Sequence, residues 1–156
     1  MKIIIATGGS GGHLFPALKV AQELKREGHE IVFLGSFQRA SEQIRESGFI
    51  FEDLGSKGFV FAFCKEAFNS CVAMGRAVYK ALRSLRKHQP DAVLGFGGYG
   101  AFPVILSAVL LRYPSLIHEQ NVVPGRANAF LAKFVHRIAI SFKKSAKYFN
   151  PRKTVL

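Results

Sequence analysis

Thr7-Gly8-Gly9-Ser10-Gly11-Gly12-His13 brings four glycines and an imidazole together directly behind the apolar run Ile3-Ile4-Ile5-Ala6. A backbone without side chains lets a ligand approach its N–H groups. A helix that starts at the end of such a turn adds unpaired N–H groups and a positive dipole end. The chemistry this combination serves is anion binding. Phe15-Pro16-Ala17-Leu18 reads as the helix start, because proline in a first turn forfeits no hydrogen bond and its φ is already set, so His13 is expected at the mouth of the turn. A dinucleotide fingerprint starting at Gly9 would need Gly or Ala where Leu14 stands, and Phe33-Leu34-Gly35-Ser36 offers no acidic residue for a ribose. A P-loop would need Lys where His13 follows Gly12. Both NAD and ATPase chemistry are disfavoured, and the competing reading is a tight turn that merely packs strand on helix.

A second glycine turn, Gly95-Phe96-Gly97-Gly98-Tyr99-Gly100, repeats this layout and opens another helix through Ala101-Phe102-Pro103. A third polar stretch, His118-Glu119-Gln120-Asn121, ends the apolar run that starts at Pro114. The elements that must position these groups alternate regularly. Apolar runs suited to strands fall at 3–6, 30–34, 49–54, 91–94, 114–118 and 137–141, and helical spacing falls at 14–27, 39–46, from after Phe63 to about 87, 101–112 and 126–135. Such alternation implies an α/β fold, a Rossmann-like parallel sheet with helices on both faces. In that fold the loops at the carboxyl ends of the strands share one crevice, so the two glycine turns and 118–121 should converge. They supply no cluster of carboxylates and imidazoles suited to a metal, so a metal-free and cofactor-free mechanism is expected.

The length of 156 residues fits one domain. Lys and Arg outnumber Asp and Glu by 22 to 10, a net charge of +12 that should attract something anionic: nucleic acid, acidic lipid or a phosphorylated substrate. No apolar stretch reaches the roughly 20 residues that a membrane span requires. The short run after Met1 reads as a first strand of a cytosolic protein rather than a signal peptide. Cys64 and Cys71 lack metal-ligand spacing and are expected to be free, buried thiols.

Three motifs together, Gly8-Gly9-Ser10-Gly11-Gly12-His13-Leu14-Phe15-Pro16-Ala17, Gly97-Gly98-Tyr99 and His118-Glu119-Gln120-Asn121-Val122-Val123-Pro124-Gly125, resemble the MurG family, the UDP-N-acetylglucosamine transferases of peptidoglycan synthesis. The resemblance runs from Met1 to the end of the chain. It implies the amino-terminal, acceptor-side half (1–156) of a two-domain GT-B glycosyltransferase, the carboxyl-terminal donor domain lying outside this chain. The implied reaction is inverting transfer of N-acetylglucosamine from UDP-N-acetylglucosamine to lipid I, forming lipid II, at the cytoplasmic face of the bacterial inner membrane. Ser10 stands where the family commonly has threonine. Ala101-Phe102-Pro103 replaces a smaller Ser-Gly-Pro-like segment, so Phe102 is expected to narrow the space beside the second glycine turn.

The resemblance assigns Ser10, Gly11, Gly12 and Asn121 to the donor sugar nucleotide, and Gly97, Gly98 and Tyr99 to the acceptor diphosphate. Tyr99 could equally be a packing residue. An inverting displacement needs a base on the attacking hydroxyl and positive field at the leaving diphosphate. His13 is a candidate base, or a hydrogen-bond donor to a phosphate. Glu119 is a second candidate base, or orients the acceptor sugar, or caps a helix near Arg126. On the long helix, Lys65, Arg76, Lys80, Arg83 and Lys87 fall in one arc bordered by Phe68 and Val72. Such a face can dock on anionic lipid without spanning it, or be simply a solvated basic face. Competing readings are another GT-B glycolipid transferase and a nucleic-acid-binding module. The latter is disfavoured because the aromatics are mostly Phe in apolar runs; no nucleic-acid partner is expected.

Overall fold

A computed structural model of the chain describes residues 1–8, 11–37, 40–55 and 65–156, with the backbone alone at 40 and 65–69. Seven parallel strands form one sheet in the order β3-β2-β1-β4-β5-β6-β7. They are β1 Lys2–Gly8, β2 Glu30–Ser36, β3 Ile50–Asp53, β4 Ala92–Gly95, β5 Ser115–Glu119, β6 Arg137–Ile140 and β7 Thr154–Val155. The helices are α1 Gly11–Arg26, α2 Ala40–Glu46, α3 Lys65–His88, α4 Phe102–Leu110 and α5 Arg126–Leu131, with a 3₁₀ turn at Lys143–Tyr148.

The continuous apolar run of β1 follows from burial on two faces. Ile4 and Ala6 enter a core shared with Ala81 and Leu85 of α3 and Val104, Ile105 and Ala108 of α4. Ile3 and Ile5 enter a second core under Leu14, Ala17, Leu18 and Ala21 of α1 and Ile44 of α2. A fully buried Ile of this kind contributes roughly 1.5–3 kcal/mol. The order of strands reverses at β1, which pairs with β2 on one side and β4 on the other. The crevice outside the carboxyl ends of β1 and β4 is therefore the switch point of the sheet, and both glycine turns leave from it.

Two helix boundaries and one burial differ from the sequence expectation. Helix α1 begins at Gly11, so Gly11, Gly12 and His13 form its first turn and Pro16 falls in the second. With no N–H at Pro16, the Gly12 carbonyl loses its ordinary helical partner. Helix α5 stops at Leu131 rather than 135, because its end tightens: Phe134 N–H donates to Leu131 C=O at 2.9 Å. Cys71 is exposed rather than buried, since among the described side chains of α3 burial starts only at Ala77; Cys64 and the apolar run 59–63 lie outside the described residues.

Glu52 on edge strand β3 ties down the carboxyl-terminal half of α3. Its carboxylate accepts from Ser84 Oγ at 2.6 Å, His88 Nε2 at 2.8 Å and Lys87 Nζ at 3.0 Å. Burial alone would raise its pKa, but these hydrogen bonds outweigh burial and bring it down to about 2. Lys80 Nζ donates to Leu54 C=O at 3.3 Å. Lys80 and Lys87, though exposed, thus bond to groups of β3 and the residue after it, whereas Arg76, Arg83 and the neighbouring Arg86 are exposed beside exposed Val72 and Tyr79. Among the described residues no helix is long and apolar enough to cross a membrane.

Candidate active site

β1 delivers Thr7 and Gly8 to the switch point, and α1 starts three residues further on. Gly11 and Gly12 are exposed there, with open space where a Gly12 Cβ would stand. The first N–H groups of α1 have no partners within the helix and carry its positive end. Gly9 and Ser10 lie outside the described residues.

β4 ends at Gly95, and the second turn folds back onto the first. Gly8 N–H donates to the Gly97 carbonyl at 3.2 Å, and Phe96 N–H donates to the Ala6 carbonyl at 2.8 Å. Gly97 and Gly98 have φ of +87° and +79°, a conformation that side chains resist. The close approach leaves no other room. A Cβ at Gly97 would meet His13 Cδ2 at 2.8 Å and Nε2 at 3.1 Å, and one at Gly100 would meet Ser36 N at 2.7 Å and Thr7 O at 2.8 Å. The His13 ring therefore lies directly on the Gly97–Gly98 backbone. Ala101 N–H donates to the Gly98 carbonyl at 3.3 Å and leads into α4, so a second helix N-terminus faces the same crevice.

Glu119 closes the site from β5. It is 1% exposed, and its carboxylate accepts from Asn121 N–H at 3.0 Å, Gly125 N–H at 3.2 Å and Asn128 Nδ2 at 2.9 Å. These bonds gather the loop between β5 and α5 around one buried charge. Gly125 is the N-cap of α5, so the helix-capping role anticipated for Glu119 describes its geometry. Burial lowers the pKa of His13 from 6.5, while the charge of Glu119 pulls it back in part; His118 is shifted in the same way by the same two causes.

The structure thus brings His13, Gly97, Gly98 and Glu119 into one cluster. Tyr99 stands half-exposed at its rim, not in the core, and Asn121 is exposed at the end of β5. Phe102 packs partly against the core, its ring 5.8 Å from that of Phe130. Lys65 and Phe68 have no described side chains. Sequence reasoning missed Asn128, a buried amide that donates to Glu119 and also to the His118 carbonyl at 3.1 Å. A polar residue on the inward face of an apolar helix was its available signal. His118 pairs through Nε2 with Ser141 Oγ at 2.9 Å and packs on Phe96, and neither its Nδ1 nor Gln120 Oε1, both buried, has a hydrogen-bond partner among the described residues. No group of three His, Cys, Asp or Glu among the described residues could hold a metal ion.

Residues 3–140 match the glycosyltransferase family 28 N-terminal domain. The chain belongs to that family. This family 28 domain is 40% identical over 153 residues to the UDP-N-acetylglucosamine–N-acetylmuramyl-(pentapeptide) pyrophosphoryl-undecaprenol N-acetylglucosamine transferase of Halothermothrix orenii, a match covering 97% of this chain and 41% of the relative. The protein of the same name from Desulfotalea psychrophila is 40% identical over 157 residues, covering 99% of this chain and 42% of its own length. The crystal structure of Acinetobacter baumannii MurG superposes with a TM-score of 0.86 at 30% identity, covering 99% of this chain and 44% of that one. The domain therefore spans less than half the length of the relatives it matches. A UDP-GlcNAc 2-epimerase from Neisseria meningitidis shares the fold, with a TM-score of 0.74 at 15% identity.

Proposed function

We propose that this domain is the acceptor-side half of an inverting N-acetylglucosaminyltransferase that joins N-acetylglucosamine from UDP-N-acetylglucosamine to lipid I. The observation that carries this reading is the His13 ring, in the first turn of α1, lying on the Gly97–Gly98 turn, which puts one imidazole between a helix N-terminus and the second glycine turn. In this reading His13 takes the proton of the attacking hydroxyl. Burial favours its neutral form, which leaves a lone pair on one ring nitrogen as a base requires. A histidine serving only as a phosphate donor would gain from the opposite shift. The N–H groups at the starts of α1 and α4 supply positive field, with Gly11, Gly12 and Asn121 serving the donor and Gly97, Gly98 and Tyr99 the acceptor. Glu119, enclosed by three N–H donors, acts as a positioning residue that holds the loop and biases His13 electrostatically.

The outer face of α3 and α4 supports peripheral binding at the cytoplasmic side of the inner membrane. Arg76, Arg83 and Arg86 border exposed Val72 and Tyr79. Helix α4 runs alongside, with Ser107 Oγ donating to Val78 C=O at 3.2 Å and Tyr113 Oη to Leu85 C=O at 3.4 Å, and it adds exposed Leu110. Basic residues around an apolar centre fit an anionic bilayer surface.

The test joins this chain at Leu156 to the carboxyl-terminal part of the Halothermothrix orenii relative and assays transfer to lipid I. The joined protein should turn over, the 156-residue chain alone should not, and His13→Ala should lower the joined protein's rate by about 10²–10⁴-fold. A folded joined protein that binds both substrates without transfer would refute the assignment.

A further inference from the structure

Phe102, at the start of α4 just past the second glycine turn, begins a run of three rings with Phe130 and Phe134. The Phe102 and Phe130 centroids are 5.8 Å apart at 43°, and those of Phe130 and Phe134 are 5.3 Å apart at 51°. Phe102 is the first residue of α4, just past the Ala101 N–H bond to Gly98, and it packs partly into the core. The two outer rings do not: Phe130 is 47% exposed and Phe134 is 50% exposed. Single exposed apolar residues are ordinary on a protein surface, but touching rings that begin four residues past Gly98 are a different feature. We propose that these three rings are a docking strip for the first isoprene units of a polyprenyl diphosphate whose phosphates sit at Gly97–Gly98.

The inference rests on the acceptor reading above and extends it from the phosphates to the lipid. The sequence of features, the glycine turn read above as the diphosphate site and then apolar rings from four residues further on, matches a ligand that is anionic at one end and hydrocarbon immediately after it. The relatives' names specify a pyrophosphoryl-undecaprenol acceptor, which is a ligand of that kind. The tilt between successive rings argues against a nucleobase, which needs a flat face to stack upon, and suits a branched chain whose methyl groups meet ring faces and edges alike. Lys133, exposed between Phe130 and Phe134 in sequence, places a cation beside the strip.

The experiment titrates the 156-residue chain, in buffer without lipid, with inorganic pyrophosphate, isopentenyl diphosphate, farnesyl diphosphate and farnesol. Farnesyl diphosphate should bind about ten- to a hundredfold more tightly than pyrophosphate, with isopentenyl diphosphate between them. Phe130→Ser/Phe134→Ser should remove that advantage and leave pyrophosphate affinity unchanged. The single Phe134→Ser variant should lose part of it, which guards against a folding defect in the double variant. Equal affinity for farnesyl diphosphate and pyrophosphate would overturn the inference and leave the phosphate cradle intact. If pyrophosphate does not bind at all, the cradle fails instead, and farnesol decides the strip alone: binding that the double variant abolishes supports it, and no binding refutes it. A double variant that keeps the farnesyl advantage but no longer sediments with anionic vesicles would make the rings a bilayer contact and overturn the inference.

Discussion

Replacing Gly97 by alanine tests the core of the site through two separable costs. The φ of +87° at Gly97 penalises any L side chain by about 1–2 kcal/mol. The new Cβ would also stand 2.8 Å from His13 Cδ2, well inside the roughly 3.5–4.0 Å at which carbon atoms rest, so the ring must shift. Overpacking of that size costs about 1–3 kcal/mol. Gly97→Ala should therefore destabilise the chain by about 2–5 kcal/mol, lowering Tm by roughly 4–20 °C at about 2–4 °C per kcal/mol. In a His13→Ala background the collision disappears and only the conformational cost of about 1–2 kcal/mol should remain. Urea denaturation of wild type, both single variants and the double variant measures the difference. Gly12→Ala is the control of opposite sign: it sits in the first turn of α1 with nothing near its Cβ, so it should stabilise by about 0.5–1 kcal/mol. An equal cost of Gly97→Ala with and without the His13 ring would mean that the ring does not rest on the turn.

Burial lowers the pKa of His13 and His118 from 6.5, so the unfolded chain binds more protons as pH falls through that value; stability should be full above about pH 6.5 and decline below it, with both imidazoles titrating below 6.5 by NMR and the decline smaller in His118→Gln. Glu52 behaves as a lowered carboxylate: its contribution is present above about 4.5 and lost as pH falls toward about 2, so Glu52→Gln should be less stable at neutral pH and flatten acid unfolding across that window. Reversing Arg76, Arg83 and Arg86 to Glu should weaken sedimentation with anionic vesicles by more than about 100-fold, at about 1 kcal/mol for each cation lost, whereas reversing Lys80 and Lys87, which already face Leu54 and Glu52, should do less. Equal effects of the two sets would refute the division of the stripe.

The order of elements was legible because a parallel sheet covered on both faces writes itself as apolar runs separated by amphipathic helices, as in Ile3-Ile4-Ile5-Ala6 and the spacing of Leu14, Leu18 and Ala21. The convergence of the glycine turns was legible for the same reason, since β1 and β4 are the strands at the switch point. The partners of Glu119 were not. Two of its three donors are backbone N–H groups, which every sequence contains, and the third depends on where α5 turns Asn128. The division of the basic stripe was hidden likewise, because helical spacing places Lys80 and Lys87 with Arg76 while Glu52 and Leu54, which engage them, belong to a distant strand. Cys71 is exposed because burial along the described side chains of α3 starts only at Ala77, a limit that helical spacing in the sequence does not mark.

The contact of Gly100 with the ends of β1 and β2 has a consequence for how such a site can change over generations. At Gly97 and Gly100 a single methyl group would collide with a ring or with backbone atoms within 3 Å, so the floor of the crevice tolerates almost no variation. Diversification toward other acceptors must therefore be written at the rim, in positions such as Tyr99 and Phe102 that border the floor without supporting it. A mutational library confined to that rim should retain folded members at high frequency, and one directed at the floor should lose most of them.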